Sequence, residues 1–325
     1  MPQSAELQQQ FATVRNRLNQ KIIGQDYLAE RLLIALLAEG HLLVEGPPGL
    51  AKTRSIKELA GNIEGDFHRL QFTPDLLPGD LTGTDIFNPA QSSFVFQQGP
   101  LFHNLVLADE INRAPAKVQS ALLEAMEEKQ ITVGQQTYPL PSPFLVMATQ
   151  NPIEQEGTYP LPEAQLDRFL MHCIIDYPDA GDELKILQLT RREASDQTAP
   201  AADPVRLSKT TLQAAQQACL QIHMSEAVEQ YLVQLVLATR TPQHYDETLA
   251  HWVSFGASPR GTIALDRCAR AHAWLNQRDY VSPENVQAVF KDVLRHRVLL
   301  SYEAEAEGIS SDDFLDALLK QVAVV

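Results

Sequence analysis

The fold is decided by the stretch Gly46-Pro47-Pro48-Gly49-Leu50-Ala51-Lys52-Thr53. It follows a short apolar run at residues 42–44 and leads into a helix-prone segment at residues 56–60. A strand that stops at a glycine turn and restarts as a helix leaves unpaired backbone N–H groups and the positive end of the helix dipole facing one point. Because a polyphosphate fits that point, the stretch predicts a phosphate-binding loop between a strand and a helix.

Two side chains at the end of this loop are suited to bind a nucleotide. We expect Lys52 to reach the β- and γ-phosphates and the Thr53 hydroxyl to ligate Mg2+, as in the pattern G-x-x-x-x-G-K-[ST]. Ala51 replaces the last glycine of that pattern. Since alanine has a Cβ, we expect Ala51 to take an ordinary negative φ where the helix begins. The alternative interpretation is a glycine-proline turn beside a lysine.

Length and composition bound the possible functions. The 325 residues predict two domains, and the formal net charge of −15 argues against a surface that binds nucleic acid or an anionic membrane throughout. Three widely spaced cysteines predict neither a disulfide framework nor a zinc site, which fits a reducing cytosol. The sequence has no apolar leader and no run of about 18 apolar residues, so we expect a soluble, cytoplasmic protein without membrane insertion.

Short apolar runs recur between helical stretches and predict an α/β fold with five buried parallel strands. The runs are residues 42–44, 70–72, 101–107, 144–148 and 169–175. Two segments interrupt the alternation: residues 73–99, rich in proline and glycine, predict an inserted loop with a short hairpin, and residues 131–140 predict a second hairpin. After residue 178 helical periodicity takes over. We therefore expect an α/β domain over residues 1–180 and an all-helical domain over residues 181–325.

Two adjacent carboxylates, Asp109 and Glu110, end the third apolar run. In an open parallel sheet the ligand site lies at the carboxyl ends of the strands, so these acids should face the phosphate loop. We expect Asp109 to hold Mg2+, directly or through water, and Glu110 to orient and deprotonate the attacking water. Solvated loop acids are the alternative interpretation.

Polar residues also end the fourth run, as Thr149-Gln150-Asn151-Pro152. Asn151 is placed to hydrogen-bond a γ-phosphate or the lytic water, and Pro152 keeps Asn151 extended. A strand-terminating Asx turn is the alternative.

Two arginines are candidates for contacts with phosphate. Ser258-Pro259-Arg260 predicts the start of a helix, where a cation opposes the helix dipole unless an anion lies beside it, so Arg260 is a candidate phosphate sensor. Arg168, just before the fifth run, could stabilise charge on the γ-phosphate of a neighbouring subunit. Salt bridges are the alternative for both. Arg113, shortly after the acidic pair, is more ambiguous.

These motifs together resemble the MoxR family of AAA+ ATPases over most of the chain. The matching segments are residues 23–25, 46–53, 105–115, 148–152, 166–169, 256–260 and 294–297. The resemblance implies an AAA+ P-loop NTPase core with a C-terminal helical lid, and it makes Ala51 an ordinary family residue. It implies that residues 73–99 form the helix-2 insert and residues 131–140 the pre-sensor-1 hairpin, both facing a central pore or a client.

The resemblance also implies roles for individual residues. The nucleotide would contact Ile23, Gly24 and Gln25 around the adenine, then the Walker A residues from Gly46 through Thr53, and Arg54. Asp109 and Glu110 form the Walker B motif, Asn151 is sensor 1, Arg168 the arginine finger and Arg260 sensor 2. Lys52, Glu110, Asn151, Arg168 and Arg260 would support catalysis, and Thr53 and Asp109 would bind Mg2+.

At the level of the whole protein, the resemblance implies ATP hydrolysis coupled to chaperone-like maturation or activation of protein complexes, in some cases by inserting a metal cofactor. It implies a homo-oligomeric ring, commonly a hexamer, that works beside proteins with von Willebrand factor A domains. Two alternatives remain open from the sequence: a DNA-translocating AAA+ motor, and a nucleotide-dependent scaffold without appreciable turnover.

Overall fold

The computed structural model describes residues 2–90, 92–152, 157–195 and 206–324. The helices are α1 (Pro2–Lys21), α2 (Asp26–Leu37), α3 (Lys52–Asn62), α4 (Pro78–Thr82), α5 (Ala116–Glu128), α6 (Glu163–Leu166), α7 (Ala180–Ser195), α8 (Lys209–Leu220), α9 (Glu226–Arg240), α10 (Glu247–Trp252), α11 (Pro259–Leu275), α12 (Pro283–Leu294), α13 (Tyr302–Ala306) and α14 (Ser311–Gln321). The strands are β1 (Leu42–Glu45), β2 (Phe67–Gln71), β3 (Gly83–Asn88), β4 (Ser93–Gln98), β5 (Leu105–Asp109), β6 (Gln130–Val133), β7 (Gln136–Pro139), β8 (Leu145–Gln150), β9 (Met171–Ile174), β10 (His223–Met224), β11 (Val253–Phe255), β12 (Tyr280–Val281) and β13 (Leu299–Leu300).

The predicted five-stranded parallel sheet is confirmed, with the strand order β2-β5-β8-β1-β9. β5 and β8, near the centre, are almost completely buried and consist mainly of apolar residues. Parallel pairing sets Gln71 opposite Asp109, Val44 opposite Thr149 and Glu45 opposite Gln150. The carboxyl ends of these four strands therefore meet at one edge of the sheet, where the polar residues predicted to bind the nucleotide are found.

Two predicted strands differ from their apolar runs at the ends. β2 begins at Phe67, three residues before the predicted run, and alternates half-buried with exposed residues because it lies at the edge of the sheet. The run at residues 101–107 contributes only its second half to β5, since Pro100–Phe102 forms a 3-10 turn that starts with proline.

Both predicted hairpins are present. β3 pairs with β4 and β6 pairs with β7, each antiparallel. The aromatic rings of Phe96 and Tyr138 stack with centroids 4.2 Å apart, so side chains join the two hairpins. The tip of the first hairpin is apolar and exposed at Phe87 and Phe94. Gln91 of the predicted insert lies outside the described residues.

The chain separates into two compact units. The sheet unit comprises Gln9–Leu161 and Cys173–Leu212, and the helical unit comprises Met1–Gln8, Pro162–His172 and Gln213–Val325. The helical unit also carries two small two-strand ribbons, β10 with β12 and β11 with β13. This division differs from the predicted boundary after residue 180, because α7 and the start of α8 group with the sheet, whereas residues 162–172 group with the helices.

Among the described helices, none is both long and apolar enough to cross a membrane.

Candidate functional site

The phosphate-binding loop connects β1, which ends at Glu45, to α3, which begins at Lys52. The prediction that Ala51 takes a negative φ is wrong: its φ is 55° and its ψ is 20°, in the left-handed region. The reason is that the loop has not yet entered the helix at residue 51. A left-handed residue with a Cβ costs about 1–2 kcal/mol, and such strain is concentrated at functional sites.

Two glycines of the loop are required by its backbone. A Cβ at Gly46 would lie 2.6 Å from the backbone oxygen of Ile175, so only glycine allows this approach of the loop to the residue after β9. Gly49 has a φ of 86°, which favours glycine, and nothing lies within 4 Å of where its Cβ would be. Lys52 bends back over the loop, and its Nζ donates to the backbone oxygens of Gly46 at 2.6 Å and Gln150 at 3.3 Å.

Thr149 ties the two predicted acids to the end of β8. Its hydroxyl donates to Asp109 Oδ1 at 2.6 Å and accepts from the backbone N–H of Glu110 at 3.0 Å. Asn151, two residues further on, is also buried. The structure thus brings Lys52, Asp109, Glu110 and Asn151 to the same edge of one sheet, as the sequence predicts.

Residues of the edge strand β2 hold the same two acids from the other side. The Arg69 guanidinium donates to Asp109 Oδ2 from Nε at 3.2 Å and from Nη2 at 2.7 Å, and Gln71 Nε2 donates to Glu110 Oε2 at 2.7 Å. Arg113 Nε lies 2.8 Å from the same Glu110 oxygen, which gives this ambiguous arginine a place in the site.

Sequence reasoning did not identify Arg69, Gln71 or the role of the Thr149 hydroxyl. The predicted run at residues 70–72 contains Gln71 but not Arg69. Only the longer observed strand, Phe67–Gln71, shows that the two residues lie on one face.

Glu110 itself has a left-handed backbone, with a φ of 57° and a ψ of 50°. It is followed directly by the 3-10 turn Ile111–Arg113. The turn ends β5 and directs the chain away from the sheet, which leaves the Glu110 carboxylate at the strand end. Glu110 and Ala51 are therefore two non-glycine residues with a strained, left-handed backbone at this site.

A cavity of about 200 Å³ adjoins the loop within the sheet unit. Its lining includes the predicted Ile23, Gln25 and Arg54. Gln25 is held by a hydrogen bond from Nε2 to the backbone oxygen of Asp176, at 3.1 Å. Gly24 lies next to Pro178 and Asp182, so the residue 23–25 turn packs against the start of α7. The cavity has the place expected for the base of a nucleotide whose phosphates lie on the loop.

The far wall of this cavity comes from residues that the sequence did not single out. They are Tyr177, Pro178, Glu183, Ile186 and Leu189, on and before α7. No motif marks them, since they supply mostly apolar surface. Arg54 forms a bidentate pair with Glu193, also on α7, and the hydrogen bonds from Arg54 lower the pKa of Glu193.

The chemistry of these residues fits a nucleotide with Mg2+. The loop presents backbone N–H groups and an ammonium to phosphate, and hydroxyl and carboxylate oxygens of the kind that Mg2+ prefers are present in Thr53 and Asp109. Within the described part of the chain, no group of three or more histidine, cysteine or acidic residues could hold a metal by itself.

The two remaining predicted residues, Arg168 and Arg260, lie in the helical unit. Arg168 is half-buried in the segment between α6 and β9, and Arg260 is exposed in the first turn of α11. Ser258 caps α11, and its Oγ accepts from the backbone N–H of Arg260 at 3.1 Å, as the sequence predicts.

Comparison with known proteins agrees with this arrangement. Residues 41–171 match the ATPase family associated with various cellular activities (AAA), and residues 247–318 match the AAA lid domain. Chaperone MoxR1 of Mycobacterium tuberculosis is 46% identical over 304 residues, which cover 93% of this chain and 79% of the relative. Protein MoxR of Paracoccus denitrificans is 33% identical over 92% of each chain.

A solved structure shows the same fold. The crystal structure of a protein from Cytophaga hutchinsonii, described as a candidate ATPase, superposes with a TM-score of 0.92 at 47% identity and covers 100% of this chain and 97% of that one. The parallel sheet, the loop between β1 and α3 and the identity to relatives over nearly the whole chain lead to one conclusion: the chain belongs to the MoxR family of AAA+ ATPases.

Proposed function

We propose that this protein hydrolyses Mg-ATP and uses the cycle for chaperone-like remodelling, maturation or activation of protein complexes. The observation that carries the proposal is the meeting of the phosphate loop with Asp109, Glu110 and Asn151 at one edge of the sheet. A relative named as a chaperone, MoxR1 of Mycobacterium tuberculosis, supports the second half of the proposal.

The protein's own residues would bind the nucleotide in three parts. Ile23, Gly24, Gln25 and the α7 wall hold the base, while Arg54 lies beside them on the loop side of the cavity. The backbone N–H groups of the loop, with Pro47, Pro48 and Leu50 shaping its course, receive the phosphates. The Lys52 ammonium exchanges its two carbonyl acceptors for phosphate oxygens, because a charged donor binds an anion more strongly than a neutral carbonyl.

For hydrolysis, Thr53 and Asp109 would hold Mg2+, which neutralises charge on the β- and γ-phosphates when it is bound. Glu110 accepts a proton from the attacking water and keeps it aligned, and Asn151 orients the water or the γ-phosphate. In the structure the Glu110 carboxylate is held by Gln71 and Arg113. Both bonds reach Oε2, so Oε1 is the oxygen that would accept a hydrogen bond from the attacking water.

We propose that Arg168 acts as the arginine finger toward the nucleotide of a neighbouring subunit, and that Arg260 contacts nucleotide phosphates as sensor 2. Catalysis then requires a homo-oligomeric ring, for which a hexamer is the family expectation. A cytoplasmic location is part of the same proposal.

The two hairpins are the proposed contact with client complexes, among them a protein with a von Willebrand factor A domain. The apolar tip of the first hairpin at Phe87 and Phe94 is exposed, and its ring stack with the second hairpin lets the two act as one surface. Insertion of a metal cofactor into a client would be one form of this activity.

The composition of the hairpins does not favour DNA translocation. The four strands β3, β4, β6 and β7 contain no lysine or arginine. Since phosphate contacts supply most non-specific affinity for DNA, a protein that moves along DNA on these hairpins would need such residues.

Steady-state phosphate release by the purified protein with Mg-ATP tests the proposal. Sustained release that DNA does not increase supports a protein-directed ATPase. Binding of ATP without sustained release would leave the scaffold interpretation, and salt-sensitive stimulation by DNA would support the translocating motor. Capture of partners by Glu110→Gln with ATP, compared with Lys52→Ala, then identifies the clients.

A further inference from the structure

The sequence Arg295-His296-Arg297 follows α12 and donates side-chain hydrogen bonds to one short segment of backbone, residues 167–172. Arg297 Nη2 donates to the backbone oxygens of Asp167 at 3.1 Å and Phe169 at 2.6 Å, and its Nη1 donates to that of Leu170 at 3.2 Å. His296 Nε2 also contacts the oxygen of Phe169, at 3.1 Å, and Arg295 Nη1 donates to that of His172 at 2.5 Å. We call these three residues the backbone clamp.

The clamped segment is the one that carries Arg168. It follows α6, which has only four residues and cannot be stable alone. The clamp holds the carbonyl groups on both sides of Arg168, at residues 167 and 169, so it determines the direction from which the Arg168 side chain leaves the backbone. All of these contacts lie within the helical unit.

The side chains of the clamp are buried, and burial disfavours the charged forms of Arg297 and His296. The Arg297 side chain is 2% exposed, and burial lowers its pKa, although Asp167 opposes that shift. Burial, together with the positive charge of Arg297, holds the pKa of His296 well below its ordinary value, so His296 is neutral and donates from Nε2. A buried cation with one carboxylate partner is weak evidence for a stabilising role alone.

Asp167 connects this clamp to the second predicted arginine. Its Oδ1 accepts from Arg297 Nε at 2.8 Å, and its Oδ2 accepts from Ser258 Oγ at 2.8 Å. Ser258 in turn caps α11 and accepts the backbone N–H of Arg260. The Asp167 carboxylate therefore connects both arginines. It directly precedes Arg168 in the chain, and it is hydrogen-bonded to Ser258, which caps the helix that carries Arg260.

We propose that Asp167, held by Arg297 and Ser258, is a positioning residue that keeps Arg168 and Arg260 in a fixed relation, so that the two guanidinium groups act together on phosphate. This inference rests on the proposed function, because it needs both arginines to serve ATP hydrolysis. Misplacement of a reacting group by about 1 Å costs up to about a hundredfold in rate, so a loosened anchor should be measurable in kcat.

The first test is Asp167→Asn, which keeps the size of the side chain and removes its charge. We expect kcat for Mg-ATP to fall by about tenfold or more. The Kd for ATP should change less than kcat, since most of the proposed nucleotide contacts, in the phosphate loop and the base cavity, belong to the sheet unit. In an Arg168→Ala background the same substitution should change kcat by less than about twofold. If Asp167 acts by positioning Arg168, its effect on kcat is lost once Arg168 is absent, so the effects of the two substitutions do not add.

The second test separates the anchor from helix capping. Ser258→Ala removes both the cap of α11 and the bond to Asp167, whereas Ser225→Ala removes only a cap, that of α9. We expect Ser258→Ala to lower kcat and Ser225→Ala to leave kcat at the wild-type value. Ser258→Thr keeps the hydroxyl and should also retain the wild-type kcat.

Each outcome bears on one claim. Wild-type kcat in Asp167→Asn and Ser258→Ala, beside a crippled Arg168→Ala, would overturn the inference and leave the proposed function intact. An equal fall of kcat caused by Asp167→Asn with and without Arg168 would also overturn it, because the role would then be structural. If Arg168→Ala itself hydrolyses ATP at the wild-type rate, the proposed role of Arg168 is wrong instead.

Discussion

Arg69 pairs with Asp109, the carboxylate proposed to bind Mg2+. Its guanidinium covers Asp109 Oδ2, while the Thr149 hydroxyl takes Oδ1, so both oxygens of the proposed Mg2+ ligand are engaged. Mg2+ bound at Asp109 must compete with a cation that the protein itself supplies. Because the Arg69 side chain is half exposed, this competition is worth no more than about 1 kcal/mol.

We therefore expect Arg69→Met to lower the Mg2+ concentration needed for half-maximal binding of a fluorescent ATP analogue, by up to about fivefold. Lys129→Met is the matched control, since it removes the same charge from a residue that pairs with Glu39. An unchanged or higher Mg2+ requirement in Arg69→Met would show that Arg69 does not compete for Asp109.

At the same scale, the sequence predicted residue types better than backbone conformations. Lys52, Asp109, Glu110 and Asn151 meet as expected because a strand–loop–helix and the ends of parallel strands leave little freedom for where these residues lie. The positive φ values at Ala51 and Glu110 were not predicted. Local preference opposes the left-handed region for both residues, and only the packed structure can impose it.

Among the elements, β8 and α5 are linked by one buried histidine. His41 Nε2 lies 3.2 Å from the backbone oxygen of Met126 in α5, and its Nδ1 accepts the backbone N–H of Val146 in β8 at 3.0 Å. These partners require a neutral ring with its proton on Nε2. Burial lowers the pKa of His41 to about 4.

The sign of the resulting pH dependence follows from linkage. A histidine whose pKa is lower in the folded state contributes stability that is complete above its unfolded pKa of about 6.5 and is lost as the pH falls toward 4. Between pH 7 and pH 5 we expect His41 to remove about 2 kcal/mol from the free energy of unfolding. His296 acts in the same direction.

Denaturant unfolding at pH 7 and pH 5 tests this expectation. His41→Gln offers a similar donor and acceptor without titrating, so the variant should lose less stability on acidification than the wild type. His244→Gln, at an exposed histidine, should behave like the wild type. Equal losses in His41→Gln and the wild type would contradict the assignment.

Sequence patterns were reliable for the existence of elements and less so for their grouping. Five apolar runs gave five strands, but helical periodicity after residue 178 placed α7 with the lid, whereas α7 packs with the sheet unit and walls the base cavity. Periodicity reports that a helix has an apolar face; it does not report which core that face covers.

At the scale of the whole molecule, we expect the site to be shared between subunits. Arg168→Ala and Glu110→Gln should each be nearly inactive alone. When the two variants are mixed, a subunit that keeps Glu110 can receive Arg168 from its neighbour, so hydrolysis should recover. Hydrolysis should not recover in a mixture of Glu110→Gln with Lys52→Ala. Each of these changes disables the nucleotide site of the subunit that carries it, and a neighbouring subunit supplies neither residue. Failure of the first mixture to exceed its separate components would place Arg168 outside the shared site.

The proposed function depends above all on Glu110, which would activate water for hydrolysis of ATP bound on the loop from Gly46 to Thr53. Its most direct test measures phosphate release and ATP binding side by side for the wild type and Glu110→Gln. We expect Glu110→Gln to bind ATP with nearly wild-type affinity and its turnover to fall by about a hundredfold or more. Turnover by Glu110→Gln at the wild-type rate would contradict the proposed role of Glu110.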